Sequence, residues 1–377
     1  MSVETLNIKK LGFGLMRLPM LDDKNIDIEQ TKTMVDMFMR AGCTSYDTAW
    51  VYGGGASECA AKAALVDRYP RESFQLATKL FMREGGNNTV EDAEKMLTTS
   101  LERTGAGYFD FYLLHNLTRD RIRHYDEHDM WSFIRRKKEE GVLRHIGFSF
   151  HDTAQVLDEF LTKFPEAEFV QLQINYLDWE NESIQSRACY EVARKHNKPI
   201  IVMEPVKGGN LANPPEAIKS ILKAADPNAS PSSWAIRFAA SLPGVVTVLS
   251  GMSNIAQMED NLSYMTDFKP LDERERKVIE KVREAFAAIP TVPCTACAYC
   301  MKDCPQNIAI SDTFRAVNNY RLYANLAASK QRYERATTGK EKAKASACIG
   351  CGQCEEECPQ HIAIREELKA AAELFEN

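Results

Sequence analysis

Two stretches in the last quarter of the chain follow one rule, Cys294-x2-Cys297-x2-Cys300-x3-Cys304-Pro305 and then Cys348-x2-Cys351-x2-Cys354-x3-Cys358-Pro359. A segment that carries this pattern twice is committed to wrapping its backbone around metal, because thiols crowded in a reducing compartment are ligands rather than disulfides. Cysteines at i, i+3 and i+6 loop around three irons of a cubane, and the fourth, carried off on the next turn, reaches the other cluster when there are two. The spacing therefore predicts two [4Fe–4S] clusters, one held by Cys294, Cys297, Cys300 and Cys358, the other by Cys348, Cys351, Cys354 and Cys304. Zinc is the competing metal; its sites pair two CxxC elements into a tetrahedron, whereas each run here supplies four thiolates ending in Cys-Pro. Because each cluster ties both ends of the segment together, metal loss is expected to unfold it as a unit. The remaining cysteines, Cys43, Cys59 and Cys189, are scattered.

Upstream the pattern changes. Short apolar runs rich in β-branched and aromatic residues recur at Leu11–Leu15, Thr44–Asp47, Phe74–Thr78, Phe109–Leu114, Arg144–Phe148, Val170–Ile174, Ile200–Met203 and Val245–Leu249. Their starts lie roughly 25 to 45 residues apart, room each time for a helix and two loops, which is the beat of βα units on a parallel sheet. Asp27 or a neighbour is placed to cap a helix through Thr33, Val35, Phe38 and Met39, and Gly42 to stop it. Eight such units suit a closed (β/α)8 TIM barrel, an α/β fold, better than an open doubly wound sheet. A polar helix from Leu271 to about Ile289 follows, broken by Pro290 and Pro293. The expected organisation is a barrel over 1–270, a connecting helix over 271–289, and a small α-helical cluster domain over 290–377 with a long helical middle from Ser311 to about Ala345.

Barrel chemistry belongs at the C-terminal ends of the strands, and four polar residues stand there: Asp47 and Tyr52 at and after the second, Lys79 after the third, His115 after the fourth. Reducing a carbonyl with hydride leaves an alkoxide, which needs a proton donor and positive charge nearby. A tyrosine beside a lysine supplies both, and the lysine charge is expected to draw the phenol pKa down toward neutrality. Through Asp47-Thr48-Ala49-Trp50-Val51-Tyr52-Gly53, Ala77-Thr78-Lys79 and Leu113-Leu114-His115 the sequence resembles the aldo-keto reductase superfamily over residues 6 to 265. The C-terminal segment resembles the helical ferredoxin modules of respiratory iron–sulfur subunits, so the whole chain looks like an iron–sulfur fusion branch of that superfamily.

The resemblance implies Tyr52 as general acid and base, Lys79 as the charge that tunes it, Asp47 as the partner orienting Lys79, and His115 as the donor that positions the carbonyl. It implies NAD(H) or NADP(H) as cofactor, with Ser149 and Gln173 on the carboxamide. Further cofactor contacts are Glu204 and Pro205 after strand seven, then Ser250, Gly251, Met252, Gln257 and Asn261 after strand eight. Phe150 stands where the family often has Asn, and Met203 where an aromatic commonly stacks on nicotinamide. No Lys or Arg lies between Ser250 and Asn261, so the usual clamp on a 2′-phosphate is missing and NAD stays as open as NADP. The run Gly53-Gly54-Gly55 lacks the Lys-Ser/Thr of a phosphate loop and is read as a flexible connection.

The formal net charge of -6 argues against nucleic acid as a partner, since that affinity rests on clustered cations. The first residues lack a signal-peptide pattern, and no apolar run is long enough for a membrane span, so a cytoplasmic protein is expected. The function these features predict is carbonyl reduction or alcohol oxidation on a small substrate, coupled through the clusters to a redox partner protein. Two alternatives stay open: an electron-transfer or scaffold protein with a non-catalytic barrel, and a reductase whose clusters are structural and hold the C-terminal domain across the barrel mouth. Nicotinamide moves two electrons and a cluster one, and no flavin-binding motif is legible.

Overall fold

The computed structural model describes residue 3 and residues 8–82, 86, 88–302, 304–338 and 342–377. It divides into two compact units, residues 1–212 with 229–279 and residues 213–228 with 280–377. The segment 213–228, assigned by sequence to the barrel, is thus grouped with the C-terminal unit. The helix Glu273–Ala287 carries the boundary within it.

The first unit is a closed barrel. Strands β1 (Leu11–Gly14), β2 (Ser45–Asp47), β3 (Gln75–Leu80), β4 (Phe109–Leu117), β5 (Leu143–Phe150), β6 (Phe169–Gln173), β7 (Ile200–Met203) and β8 (Val245–Ser250) follow one another around the sheet. All pairs are parallel, and β8 returns to β1 with Leu11 opposite Val248. The apolar runs are near-continuous because these strands are covered on both faces. Inward, Ala77, Phe111, Leu113, Phe169, Ile201 and Leu249 form a plug. Outward, the helices bury a second layer, each Leu or Phe in it contributing about 1.5–3 kcal/mol. Gly147 is demanded by that plug: a Cβ there would sit 2.4 Å from the Phe169 carbonyl oxygen.

Helix Ile28–Arg40 begins where Asp27 accepts the Gln30 N–H at 2.9 Å, and Gly42, at φ 73°, lies just beyond its end. Its buried stripe is Thr31, Met34, Val35 and Phe38; of the others named from sequence, Met39 is partly buried against the same core, and Thr33 is exposed. Among the described residues no helix is long and apolar enough to cross a membrane.

In the second unit the expected helical middle consists of two helices, Ile310–Tyr323 and Leu326–Thr337. Ala324 turns left-handed at φ 52° and donates to the Tyr320 carbonyl, and Asn325 then caps the next helix by accepting from Ala328 N. No Gly or Pro marks the break; the Asn was the readable sign. The core gathers Ile310, Phe314, Val317, Tyr333, Leu368 and Phe375.

The two cysteine motifs also share a backbone. Ala296 and Gly350, Ala298 and Gly352, and Asn307 and His361 stand at equivalent places and all have positive φ. Asn307 N donates to Cys304 O as His361 N does to Cys358 O, both at 3.0 Å, and helices follow from Ile310 and from Ile364. The repeat Cys-Pro-Gln-x-Ile-Ala-Ile, at Cys304–Ile310 and Cys358–Ile364, is the sequence trace of this symmetry.

Candidate functional site

Lys79 leaves the end of β3 and is fully buried, with its ammonium 2.6 Å from Asp47 Oδ1 and donating to the Thr48 carbonyl at 2.6 Å. Gln171 of β6 donates to the other Asp47 oxygen at 3.2 Å. The carboxylate is therefore held from two sides of the barrel and holds the lysine in turn. Tyr52 lies in the turn after β2, its ring centroid 4.8 Å from the Lys79 ammonium. The His115 ring, at the end of β4, meets Tyr52 edge to face at 6.0 Å.

Burial works against the Lys79 charge, but Asp47 and Tyr52 outweigh it and its pKa is raised. The Tyr52 pKa is also raised: burial of the phenol exceeds the pull of Lys79, and Asp47 adds to the rise. This corrects the expectation of a phenol drawn toward neutrality, since the Asp47 carboxylate that keeps Lys79 charged also screens that charge from the tyrosine. His115 is held well below the ordinary histidine value, by burial first and then by Lys79, His151 and Arg121. At neutral pH the set is an ammonium, a phenol and a neutral imidazole.

The turn that carries Tyr52 is more defined than a flexible connection. Gly53, Gly54 and Gly55 all have positive φ, and a Cβ on Gly55 would stand 2.5 Å from the Arg103 guanidinium. Arg103 reaches the fully buried Glu58 at 3.2 Å, stacks on Trp50, and shares Glu58 with Thr78 Oγ1 at 2.8 Å. A charged group thus pins the Tyr52 turn to β3.

Tyr52, His115 and Asp47 open into a cavity of about 780 Å³ at the C-terminal ends of the strands. Lys79 lies beneath it, outside the lining. Ser149, at the end of β5, lines the cavity and accepts the Asn116 N–H at 2.8 Å. Glu204 and Pro205 line it after β7, and Ser250, Gly251, Met252, Gln257 and Asn261 after β8. Met203 also contributes. Gln173 is not brought to the cavity: it donates to Asp178 at 3.0 Å, and Gln171 lines the wall instead. Buried Asp178 also takes Asn175 at 2.8 Å and Lys207 at 2.5 Å, while Asn175 donates to Glu204 O. This hub fixes the loop in which Glu204 has a φ of 56°, a strained conformation of the kind that gathers at ligand sites.

Sequence reasoning missed Arg17, which follows β1. It packs against Gly251, accepts the Ser253 hydroxyl on its carbonyl at 2.7 Å and lines the cavity. A cation therefore stands beside the β8 loop although that loop supplies none; its place just past a strand C-terminus was the available signal. Asn261 Oδ1 and His115 Nδ1 are buried without a partner among the described residues. Orphaned polar atoms in a cavity of this size suit a ligand with polar groups spread along it, such as a dinucleotide.

In the second unit Cys294, Cys297, Cys300 and Cys358 line one pocket, and Cys304, Cys348, Cys351 and Cys354 line another. These are the two exchanged sets that the spacing predicts. Among the described residues no three His, Cys, Asp or Glu side chains meet the geometry of a single-ion site. Burial, then the neighbouring Cys294 and Cys358, push the Cys300 thiol up to about 11. Burial, then Glu355 and the neighbouring thiols, do the same to Cys354, also to about 11. Four thiols gathered in each pocket are a donor set that fits a cubane. Cys297 and Cys351 are exposed, whereas Cys300, Cys354 and Cys358 are buried.

The model of the Aldo/keto reductase family matches residues 10–284, and that of the 4Fe-4S dicluster domain matches residues 293–363. L-galactose dehydrogenase of Arabidopsis thaliana is 24% identical over 74% of this chain and 92% of its own length. An uncharacterized oxidoreductase of Schizosaccharomyces pombe is 27% identical over 68% of this chain and 81% of its own. Among solved structures, the holo form of aldo-keto reductase AKR11C1 from Bacillus halodurans superposes with a TM-score of 0.59 at 24% identity, over 73% of this chain and 92% of that one. An aldo-keto reductase from Klebsiella pneumoniae in complex with NADPH gives 0.58 at 19% identity, over 73% and 91%. These structural likenesses speak for the fold.

Proposed function

We propose, for a chain that belongs to the aldo/keto reductase family and carries a C-terminal 4Fe-4S dicluster domain, that the barrel reduces a small carbonyl compound using NADH or NADPH, with Tyr52 as proton donor. The observation that carries this reading is the Lys79 ammonium, bound to Asp47 at 2.6 Å under the Tyr52 ring at the floor of the cavity. The reduced dinucleotide supplies the hydride when bound. Tyr52, a phenol at neutral pH, gives its proton to the oxygen that gains charge, and the buried ammonium stabilises the phenolate left behind. Asp47 keeps Lys79 charged and aimed. His115, neutral, offers a ring nitrogen to the carbonyl without bringing a second positive charge. Ser149, Glu204 and the β8 loop, with Arg17 beside it, would hold the dinucleotide.

The two cysteine sets would each ligate one [4Fe–4S] cluster, which when bound carries a single electron. The exposed Cys297 and Cys351 edges are where a redox partner protein would approach; passing a hydride's electron pair to one-electron clusters would further need a two-to-one carrier such as a flavin.

Tyr52→Phe is the test. Carbonyl turnover should fall about 10²- to 10⁴-fold, while binding of NADH or NADPH, read by fluorescence, persists. Turnover retained within a few-fold would end the reading. Iron and sulfide analysis should give about eight of each per chain, and anaerobic NADH or NADPH should bleach the cluster absorption if the two units are coupled.

A further inference from the structure

The cavity has two sides. β5, β7 and β8 supply the groups suited to a dinucleotide, and Phe81 after β3, Asn116 near the end of β4 and Arg121 in the helix that follows β4 line the other side. Arg121 stands in the first turn of helix Arg119–Asp126. Its guanidinium carbon lies 5.7 Å from the Phe81 ring centroid, and that ring is 5.6 Å from the His115 ring.

Every other cation in or under the cavity has a carboxylate: Lys79 has Asp47, Lys207 has Asp178, and Arg17 faces Glu204 at 4.0 Å. Its neighbour Arg119 pairs with Glu159 at 3.0 Å. Among the described residues Arg121 alone of the cavity cations has no ion-pair partner, and its Nη1 is buried with no hydrogen bond. A guanidinium N–H withdrawn from water and left unmet is unfavourable unless a ligand meets it. A planar donor fork suits a carboxylate or phosphate oxygen pair.

We propose that Arg121 binds an anionic group on the substrate, so that the carbonyl compound reduced here also carries a carboxylate or phosphate a few bonds from the C=O. The inference deepens the reductase reading and rests on it. With the carbonyl at Tyr52 and His115 and the anion at Arg121, the substrate chain would run past the Phe81 ring, whose centroid lies 5.6 Å from the His115 ring and 5.7 Å from the Arg121 guanidinium carbon. Arg121 comes from the side opposite the β8 loop and is therefore no substitute for a 2′-phosphate clamp.

The test uses the anaerobic full-length protein with its clusters filled and two substrate pairs: succinate semialdehyde against butanal, and dihydroxyacetone phosphate against dihydroxyacetone. The charged member of one pair should exceed the neutral member about ten- to a hundredfold in kcat/KM. The preferred pair assigns the anion as carboxylate or phosphate. Arg121→Gln should collapse that ratio, and Arg121→Lys should restore part of it. Ratios near one in both pairs, or a ratio that survives Arg121→Gln, would overturn the proposal.

Should no carbonyl be turned over, the reductase reading fails by itself and binding decides the anion site separately. Glutarate and glycerol 3-phosphate are titrated calorimetrically into the wild type, and at least one should give heat that Arg121→Gln abolishes; equal heat in both proteins, or none with either ligand, also overturns the proposal.

Discussion

At the N-terminal ends of the strands, Arg71 has its donors met by the carbonyls of Ala106, Phe74 and Tyr108 and by Asp110 at 2.7 Å. Asp110 in turn takes Arg144 at 3.0 Å and the Leu76 N–H at 2.9 Å. Beside it Glu168 accepts from His145, Lys138 and the Ile146 N–H, which together overcome burial and hold its carboxyl down to about 2. At the C-terminal ends, Arg121 Nη1, His115 Nδ1 and Asn261 Oδ1 have no partners among the described residues. The same fold, with buried charge at both ends, closes its network at one and leaves it open at the other. A closed network holds strands in register, and an open one waits for a ligand. In a barrel this division matches the general separation of stability and chemistry between the two faces.

Breaking the Lys79–Asp47 pair should give the largest effect, because it belongs to both categories. Lys79→Met is expected to lose carbonyl turnover about 10²- to 10⁴-fold and to destabilise the barrel by about 3–5 kcal/mol, the cost of stranding a buried carboxylate. Trp50, Trp131, Trp179 and Trp234 are the chain's four tryptophans and all belong to the barrel, so their fluorescence reads its unfolding in urea. Adding Asp47→Leu should recover most of the stability and none of the turnover. Recovery of both would mean the pair serves the fold alone.

Arg71→Ala should do the opposite. It removes one of the two cations on buried Asp110 and is expected to cost roughly 3 kcal/mol by the same fluorescence measurement. Its kcat/KM should stay within about twofold of the wild type. A large loss of kcat/KM at unchanged stability would erase the distinction between the two ends.

Much of this was legible beforehand, for reasons particular residues make plain. Strands covered on both faces need continuous apolar runs, so β7 appears in the sequence with its observed bounds, and the other strands within a few residues of theirs. The cysteine spacing carries its own geometry, and the two pockets gather the thiols it named. What the sequence hid was the product of neighbours distant in the chain. Gln173 reads as a cavity residue until Asp178 and Lys207 are seen to draw it aside. Arg17 is invisible to a search of the β8 loop because it arrives from β1. The sign of the Tyr52 shift depends on burial and on a carboxylate that any rule based on Lys79 alone leaves out.

That sign gives the smallest effect, and it sharpens the comparison because it predicts flatness. A phenol whose pKa is raised stays protonated throughout the neutral range, and a histidine lowered well below 6.5 stays neutral there. Reduction requires the protonated phenol, so its kcat/KM should be level across neutral pH. It should decline only on an alkaline limb above the ordinary tyrosine value of about 10. Oxidation of the corresponding alcohol requires the phenolate and should climb with pH over the same interval. A reduction limb centred near neutrality would mean that Lys79 prevails over burial once the cavity is filled. The catalytic end would then be tuned by its ligand, whereas Glu168 at the opposite end, low in pKa through partners of its own, would titrate identically with or without one.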